Sequence, residues 1–213
     1  SATRREYMVI ASFALPLLIC GALQLLLPQL PAAAAGVALS YLLVYLNSLQ
    51  LMVSLDPVTG ISDRRQFLLS LHSRADSLRP RERLFFLFID VDNFKNINDE
   101  YGHDEGDRVL RIVADALREV CAEHNASFGR YGGDEFTVAY VVGEGQDAHA
   151  VCRDLRSALE RRLAAGSLIG AVGLSIGQVE FQRDEESIQD LITRADREMY
   201  LEKERKAQLR QGT

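Results

Sequence analysis

The sequence predicts an α/β fold, a mostly antiparallel sheet flanked by helices and preceded by two transmembrane helices. Three observations carry that prediction. Leu84 to Ile89 is a continuous apolar run of strand length, the pattern of a strand covered on both faces. Asp104 to Ala122 has the period of a helix laid on such a sheet, with Val109, Leu110, Ile112, Val113, Ala116, Leu117 and Val120 facing inward. Met8 to Leu27 and Ala32 to about Leu55 carry no charged side chain. Each is long enough to cross a hydrocarbon core of roughly 30 Å at about 1.5 Å per residue.

Pro28-Gln29-Leu30-Pro31 joins the two uncharged runs, so they read as a helical hairpin. Arg4 and Arg5 precede the first run and Arg64 and Arg65 follow the second, which places both ends in the cytoplasm. Basic residues, an apolar stretch and the alanines at 32 to 35 also suit a secretory signal with a cleavage site, but a second uncharged run abutting the domain favours the membrane hairpin. The chain opens on Ser1, which suits a processed protein or a piece of a longer one. Leu42, Leu46, Leu49 and Val53 are spaced four, three and four, as in a helix that pairs through an a/d-type seam. Packing among membrane helices explains that spacing equally well. Residues 1–55 are therefore expected to form hairpin and stalk, and residues 56–213 a separate soluble domain.

Asp56-Pro57-Val58-Thr59-Gly60 ends the stalk and opens the domain, because the residue before proline disfavours the α conformation and Gly60 allows a turn. Ser62 or Asp63 can cap a helix to about Leu78 with Phe67, Leu68 and Leu71 on one face. A charged loop, 79–83, leads into the apolar strand. That strand ends in Asp90-Val91-Asp92-Asn93-Phe94-Lys95, followed by Asn98-Asp99 and Gly102-His103 before the amphipathic helix. Ala126 to Phe128 and Phe136 to Val142 flank Arg130-Tyr131-Gly132-Gly133-Asp134-Glu135, which reads as a hairpin with acid at its tip. Residues 147–165 have helical period, 171–181 suit a strand and 187 to about 208 a last helix.

Composition narrows the chemistry. Of 24 basic and 30 acidic side chains, only Arg4, Arg5 and Glu6 precede residue 56, so the domain has a net charge of about −7. Such a domain lacks the basic face that a DNA or RNA polymer demands, and any nucleotide it handles should be small and metal-carried. Three irregularly spaced cysteines suggest neither a disulfide framework nor a zinc site, only small apolar fillers.

Gly132 and Gly133, without side chains, let a bulky anion approach the backbone. Adjacent acids at the tip repel one another unless they are solvated or share a cation, and a solvated turn explains those residues taken alone. Together with the acid at the strand end they form a candidate site for a hard divalent ion such as Mg²⁺ or Mn²⁺, which takes oxygen ligands and substrate phosphates. Asp90 and Asp134 are the candidate ligands, Glu135 a further ligand or base, and Lys95 the phosphate cation. The arrangement needs the two strands to be neighbours.

The ordered set formed by 56–64, Asp90 to Lys95, Asn98-Asp99, Gly102 to Asp107, the acidic hairpin and Leu174-Ser175-Ile176-Gly177 resembles the GGDEF-domain diguanylate cyclases over about residues 56–205. The resemblance implies a palm-like, ferredoxin-like sheet and condensation of two GTP into cyclic di-GMP and two pyrophosphates by a homodimer. It implies a bacterial inner-membrane protein whose catalytic domain is cytoplasmic and whose product serves downstream receptors. By position, Asp90, the Val91 carbonyl and Asp134 would hold metal, and Glu135 would assist the 3′-hydroxyl. Asn93, Phe94, Lys95 and Lys203 would receive phosphates, and Asn98 and Asp107 would read guanine. A carboxylate can accept from guanine N1 and N2, which argues for GTP over ATP. Asp107 would otherwise stabilise a helix N-terminus. Asp92 is expected to touch metal or cap the next helix, Gly102 and Gly106 to form turns, and His103 to be a buried hydrogen-bonding side chain. Two departures stand out. Glu123-His124-Asn125-Ala126 replaces an Arg-x-x-Asp inhibitory motif, and Ala207 replaces a phosphate-binding arginine for which Arg205, Lys206 or Arg210 could substitute.

Overall fold

A computed structural model describes residues 2–29, 31–52, 54–165, 172–183 and 185–211, with side chains from Ala14 onward except at 32, 44, 47–52, 165, 210 and 211. Two units result, Ser1–Ser54 and Leu55–Thr213. The first pairs α1 (Ala2–Leu26) with α2 (Ala32–Met52). Gln24 holds the link by donating to the Pro28 carbonyl and accepting from the Ala33 N–H, both at 3.2 Å. Gly36 permits the close approach, since a Cβ there would stand 2.6 Å from Cys20 Cβ.

The membrane expectation gains no support. Among the described residues no helix is long and apolar enough to cross a membrane. A membrane partner and an inner-membrane location are equally unsupported. Of the stalk positions, Leu42 and Leu46 are exposed, while the side chains of Leu49 and Val53 lie outside the described residues.

The second unit contains β1 (Ser62–Asp63), α3 (Arg64–Asp76), β2 (Arg83–Asp92), α4 (Phe94–Tyr101), α5 (His103–Glu123), β3 (Ser127–Gly132), β4 (Glu135–Val142), α6 (Ala150–Ala165), β5 (Gly173–Glu180) and α7 (Ile188–Gln211). The sheet order is β1-β3-β4-β2-β5. β2 runs antiparallel to both neighbours, β3 and β4 form the antiparallel hairpin, and β1 lies parallel to β3, so the sheet is mixed. Neither β1 nor α4 is legible from periodicity; the first is two residues long and the second lies inside an acidic linker.

Asp63 caps α3 by accepting from the Gln66 N–H at 2.8 Å, as expected. β2 is an inner strand between β4 and β5 and extends three residues beyond its apolar run, so Asp90 and Asp92 are buried with it. Its side chains alternate between faces. Leu87, Ile89 and Val91 pack in one core with Val113 and Leu117 of α5 and Leu155 of α6. Leu84, Phe86 and Phe88 pack in the other with Phe67 of α3 and Leu191 and Met199 of α7. Each such buried side chain contributes about 1.5–3 kcal/mol by leaving water. Alternation therefore puts Asp90 and Asp92 on the α7 face. Cys121 and Cys152 are free thiols, pushed up to about 12 by burial, in keeping with the filler reading.

Candidate active site

The strand end and the acidic hairpin meet. Asp90 of β2 lies opposite Glu135 of β4 in the ladder, and the Val91 N–H donates to the Asp134 carbonyl at 3.2 Å. The turn between β3 and β4 is open: a Cβ at Gly132 or Gly133 would meet nothing within 4 Å, and Gly133 has φ +51°.

Arg130, whose role the sequence did not disclose, fixes this turn. Its Nε and Nη2 donate to the Gly133 carbonyl at 2.9 and 2.6 Å, while Nη1 donates to both Asp56 carboxylate oxygens at 3.0 Å. Asp56 also accepts from the Thr59 N–H and hydroxyl at 2.8 and 2.6 Å. Burial works against its charge, but the Thr59 hydroxyl and Arg130 together hold the carboxyl below the usual aspartate range. The Asp-Pro-x-Thr opening thus ties the hairpin to the start of the domain. Arg130→Ala leaves Asp56 mostly buried without its cation and should cost about 2–3 kcal/mol, read by urea denaturation. A midpoint equal to wild type would show that the pair carries no stability.

Charge concentrates around Lys203 of α7. Its ammonium donates to Asp90 Oδ1 at 2.6 Å, and Asp90 is only 7% exposed. Burial pushes the Asp90 carboxyl up despite Lys203, with Asp134 and Asp92 adding to the shift. Glu135 is pushed up by burial and then by the neighbouring charges of Asp134, Asp196 and Asp90. For Lys203, burial opposes the charge, but the Asp90 bond and the fields of Asp90, Asp134 and Asp92 raise it above its ordinary value. Sequence reasoning missed Asp196. It precedes Lys203 by seven residues, two helical turns, and that shared face was a readable signal.

These shifts carry a sign. A carboxylate raised on folding binds its proton more tightly in the native state, so native stability falls as pH rises through the window above the ordinary value of 4.5 for Glu135. Glu135→Gln should therefore raise the metal-free melting temperature near pH 7 and lose that advantage toward pH 4.5, in melts run with chelator. An equal gain at every pH would contradict the assignment.

Asp92 does not cap the following helix. It is 4% exposed and accepts from the Ser175 hydroxyl at 2.6 Å and from Lys206 Nζ at 3.0 Å. The N-cap of α4 is Asn93, at φ +61° and without a side-chain cap bond. Lys206 is turned inward, Arg205 is exposed and donates to the Leu201 carbonyl, and the Arg210 side chain lies outside the described residues. Lys206, held by Asp92, is thus not a spare cation.

Asn98 of α4 lies against Gly106 of α5, the residue before Asp107: a Cβ at Gly106 would stand 1.9 Å from Asn98 Oδ1. Gly106 is accordingly a close-approach residue inside α5 and not a turn, whereas Gly102, at φ +87°, is the turn. Asp107 lies 3.7 Å from Arg111. Phe94 packs beside Gly106, Lys95 is exposed, and His103 is exposed instead of buried because it opens α5 on the solvent side. Among the described residues no hydrogen bond joins Asn98 or Asp107 to the Asp90 group. At the missing inhibitory motif, His124 Nε2 lies 2.7 Å from Asp154 and the Asn125 carbonyl accepts from Arg74 at 2.8 Å.

Among the described residues no group of three or more His, Cys, Asp or Glu side chains stands ready to hold a metal. Hard oxygen donors with a cation already drawn to Asp90 nevertheless fit a divalent ion that shares its shell with substrate phosphates. A cleft of about 780 Å³ lies elsewhere, between α3 and the hairpin, lined by Leu68, His72, Arg64 and Tyr131 and sharing only the glycine pair with the acids. The chemistry points to the acids rather than to the roomier cleft.

A family model described as diguanylate cyclase, GGDEF domain, matches residues 53–208. Diguanylate cyclase A of Treponema denticola is 34% identical over 169 residues, covering 76% of this chain and 45% of that protein. The cyclic di-GMP phosphodiesterase NbdA of Pseudomonas aeruginosa is 30% identical over 149 residues, covering 70% of this chain and 19% of that protein. The solved diguanylate cyclase SiaD of Pseudomonas aeruginosa, in complex with its activator SiaC, matches with a TM-score of 0.63 at 31% identity, covering 81% of this chain and 66% of that one. This chain spans about half or less of the length of these two curated relatives.

Proposed function

Because the chain belongs to the diguanylate cyclase GGDEF-domain family, we propose that residues 56–213 condense two GTP into cyclic di-GMP and two pyrophosphates. The observation that supports this most is the ladder register that sets Asp90 against Glu135 beside an open glycine turn.

Asp90, Asp134 and the Val91 carbonyl would hold Mg²⁺ or Mn²⁺, with Glu135 as a further ligand. When bound there, the ion polarises the phosphoryl group and makes the attacking hydroxyl more acidic. The chain supplies the rest. Glu135 takes the 3′-hydroxyl proton, a role suited to a carboxylate raised by burial and like charge. Gly132 and Gly133 leave room for the phosphates at the turn, and Lys203 and Lys95 offset their charge. The backbone near Asn93 and Phe94, at the start of α4, adds donors for the same anion. Asn98 and Asp107 read the guanine edge. One domain holds one GTP, so a homodimer brings two half-sites face to face. The inhibitory site at 123–126 is absent by residue type, and product feedback through it is not expected.

The second reading is a silent GTP-binding regulatory module. Two observations favour it: the similarity to a protein named as a phosphodiesterase, and Ala207 at the phosphate arginine. Incubation of the purified chain with GTP and Mg²⁺, followed by chromatography, separates the two. Cyclic di-GMP is the expected product; bound GTP without product in a demonstrated dimer would favour the module.

A further inference from the structure

We infer that Lys206 is a positioning residue that reserves Lys203 for Asp90 and the triphosphate by taking up Asp92, an inference that rests on the cyclase reading just given. Asp90 and Asp92 are two residues apart on one strand, so both point to α7, about 7 Å from one another. Both are buried. A buried carboxylate without a cation is costly, and the Ser175 hydroxyl offers Asp92 one neutral bond only. α7 answers with two lysines three positions apart on one face. Lys203 reaches Asp90 at 2.6 Å and Lys206 reaches Asp92 at 3.0 Å.

Lys206 is committed in every direction. It donates to the Leu174 carbonyl at 2.5 Å, and its ammonium lies 3.2 Å from Glu202. Glu202 in turn accepts from Arg156 at 2.7 Å and from the Ile176 N–H at 3.1 Å, and Arg156 donates to the same Leu174 carbonyl at 2.8 Å. An ammonium has three protons, and Asp92, the Leu174 carbonyl and the Ser175 hydroxyl, 3.4 Å away, accept them. Lys206 therefore does not replace the missing phosphate arginine at 207 by contact. It acts through Lys203: with Asp92 satisfied, the one lysine directed at Asp90 is not divided between two acids. Without Lys206, Asp92 draws on Lys203, and the phosphate cation is misplaced.

Equilibrium titration with GTP and Ca²⁺, which replaces Mg²⁺ to suppress turnover, tests this on the full chain. Lys206→Met should weaken GTP binding about tenfold. The double variant Asp92→Asn with Lys206→Met removes the charge that needed an answer and should recover affinity to within about threefold of wild type. Loss of packing at residue 206 is the same in both variants, so recovery traces the effect to the Asp92 charge and not to packing. Should Lys206→Met fail to melt cooperatively, Lys206→Gln keeps a donor for Leu174 and makes the same comparison. Wild-type affinity in the single variant, or a double variant no better than the single, overturns the inference and leaves the cyclase reading intact. A wild-type chain that binds no GTP overturns the reading and the inference with it.

Discussion

Asp134→Ala should lower cyclic di-GMP formation by about a thousandfold while leaving the fold intact. The side chain stands at a turn, only partly buried, and the backbone contact that joins it to β2, the Val91 N–H to its carbonyl, survives truncation. What disappears is one carboxylate from a group whose members already raise each other's affinity for protons. Native stability should therefore hold or rise slightly in the absence of metal, because a like charge has been removed. Chromatography of GTP reactions reads the first effect, and thermal melting with chelator reads the second. A variant that turns over within tenfold of wild type would exclude Asp134 from the machinery. A silent module behaves differently: neither form makes product, and GTP binding alone is there to be perturbed.

How far this site could be read in advance depended on what carries each residue. Leu84 to Ile89 is buried on both faces, and a run of that kind announces a central strand from composition alone. That its neighbours would be β4 and β5 is not local information. Register comes from pairing across the sheet, and the encounter of Asp90 with Glu135 needed that pairing. α5 was legible because its inward residues repeat every turn over 21 residues, and the helix begins and ends within one residue of its predicted bounds. α4, with eight residues and one buried side chain, has no such repeat to show. His103 was misread because a histidine beside two glycines says nothing about which way α5 turns its first residue. The capping alternative for Asp92 failed because a capping acid and a buried acid are alike in one dimension, and only the lysine 114 positions later tells them apart. Arg130 lay in plain view within the hairpin, yet its partners are a residue 74 positions earlier and a carbonyl across the turn.

Gly177→Val should have the largest effect on stability, about 3–5 kcal/mol. A Cβ at this position of β5 would stand 1.9 Å from the Ala195 carbonyl oxygen and 2.4 Å from the Met199 nitrogen. Both are backbone atoms of α7 and cannot rotate away as a flexible side chain could. The helix must lift, and the core of Leu191, Ile192, Ala195 and Met199 lifts with it. α7 also carries Asp196, Lys203 and Lys206, so the smaller change Gly177→Ala should reduce GTP affinity even where the protein still melts cooperatively. Gly132→Ala is the control for stability, since nothing stands within 4 Å of a Cβ there and its backbone has no positive φ. Urea denaturation of the three variants should rank Gly177→Val far below Gly177→Ala, and both below Gly132→Ala. Equal midpoints for Gly177→Val and wild type would mean that α7 is not held against β5 at this distance. The lysines would then have lost the support that fixes them at Asp90 and Asp92, and the site would have to be built from the hairpin and strand alone.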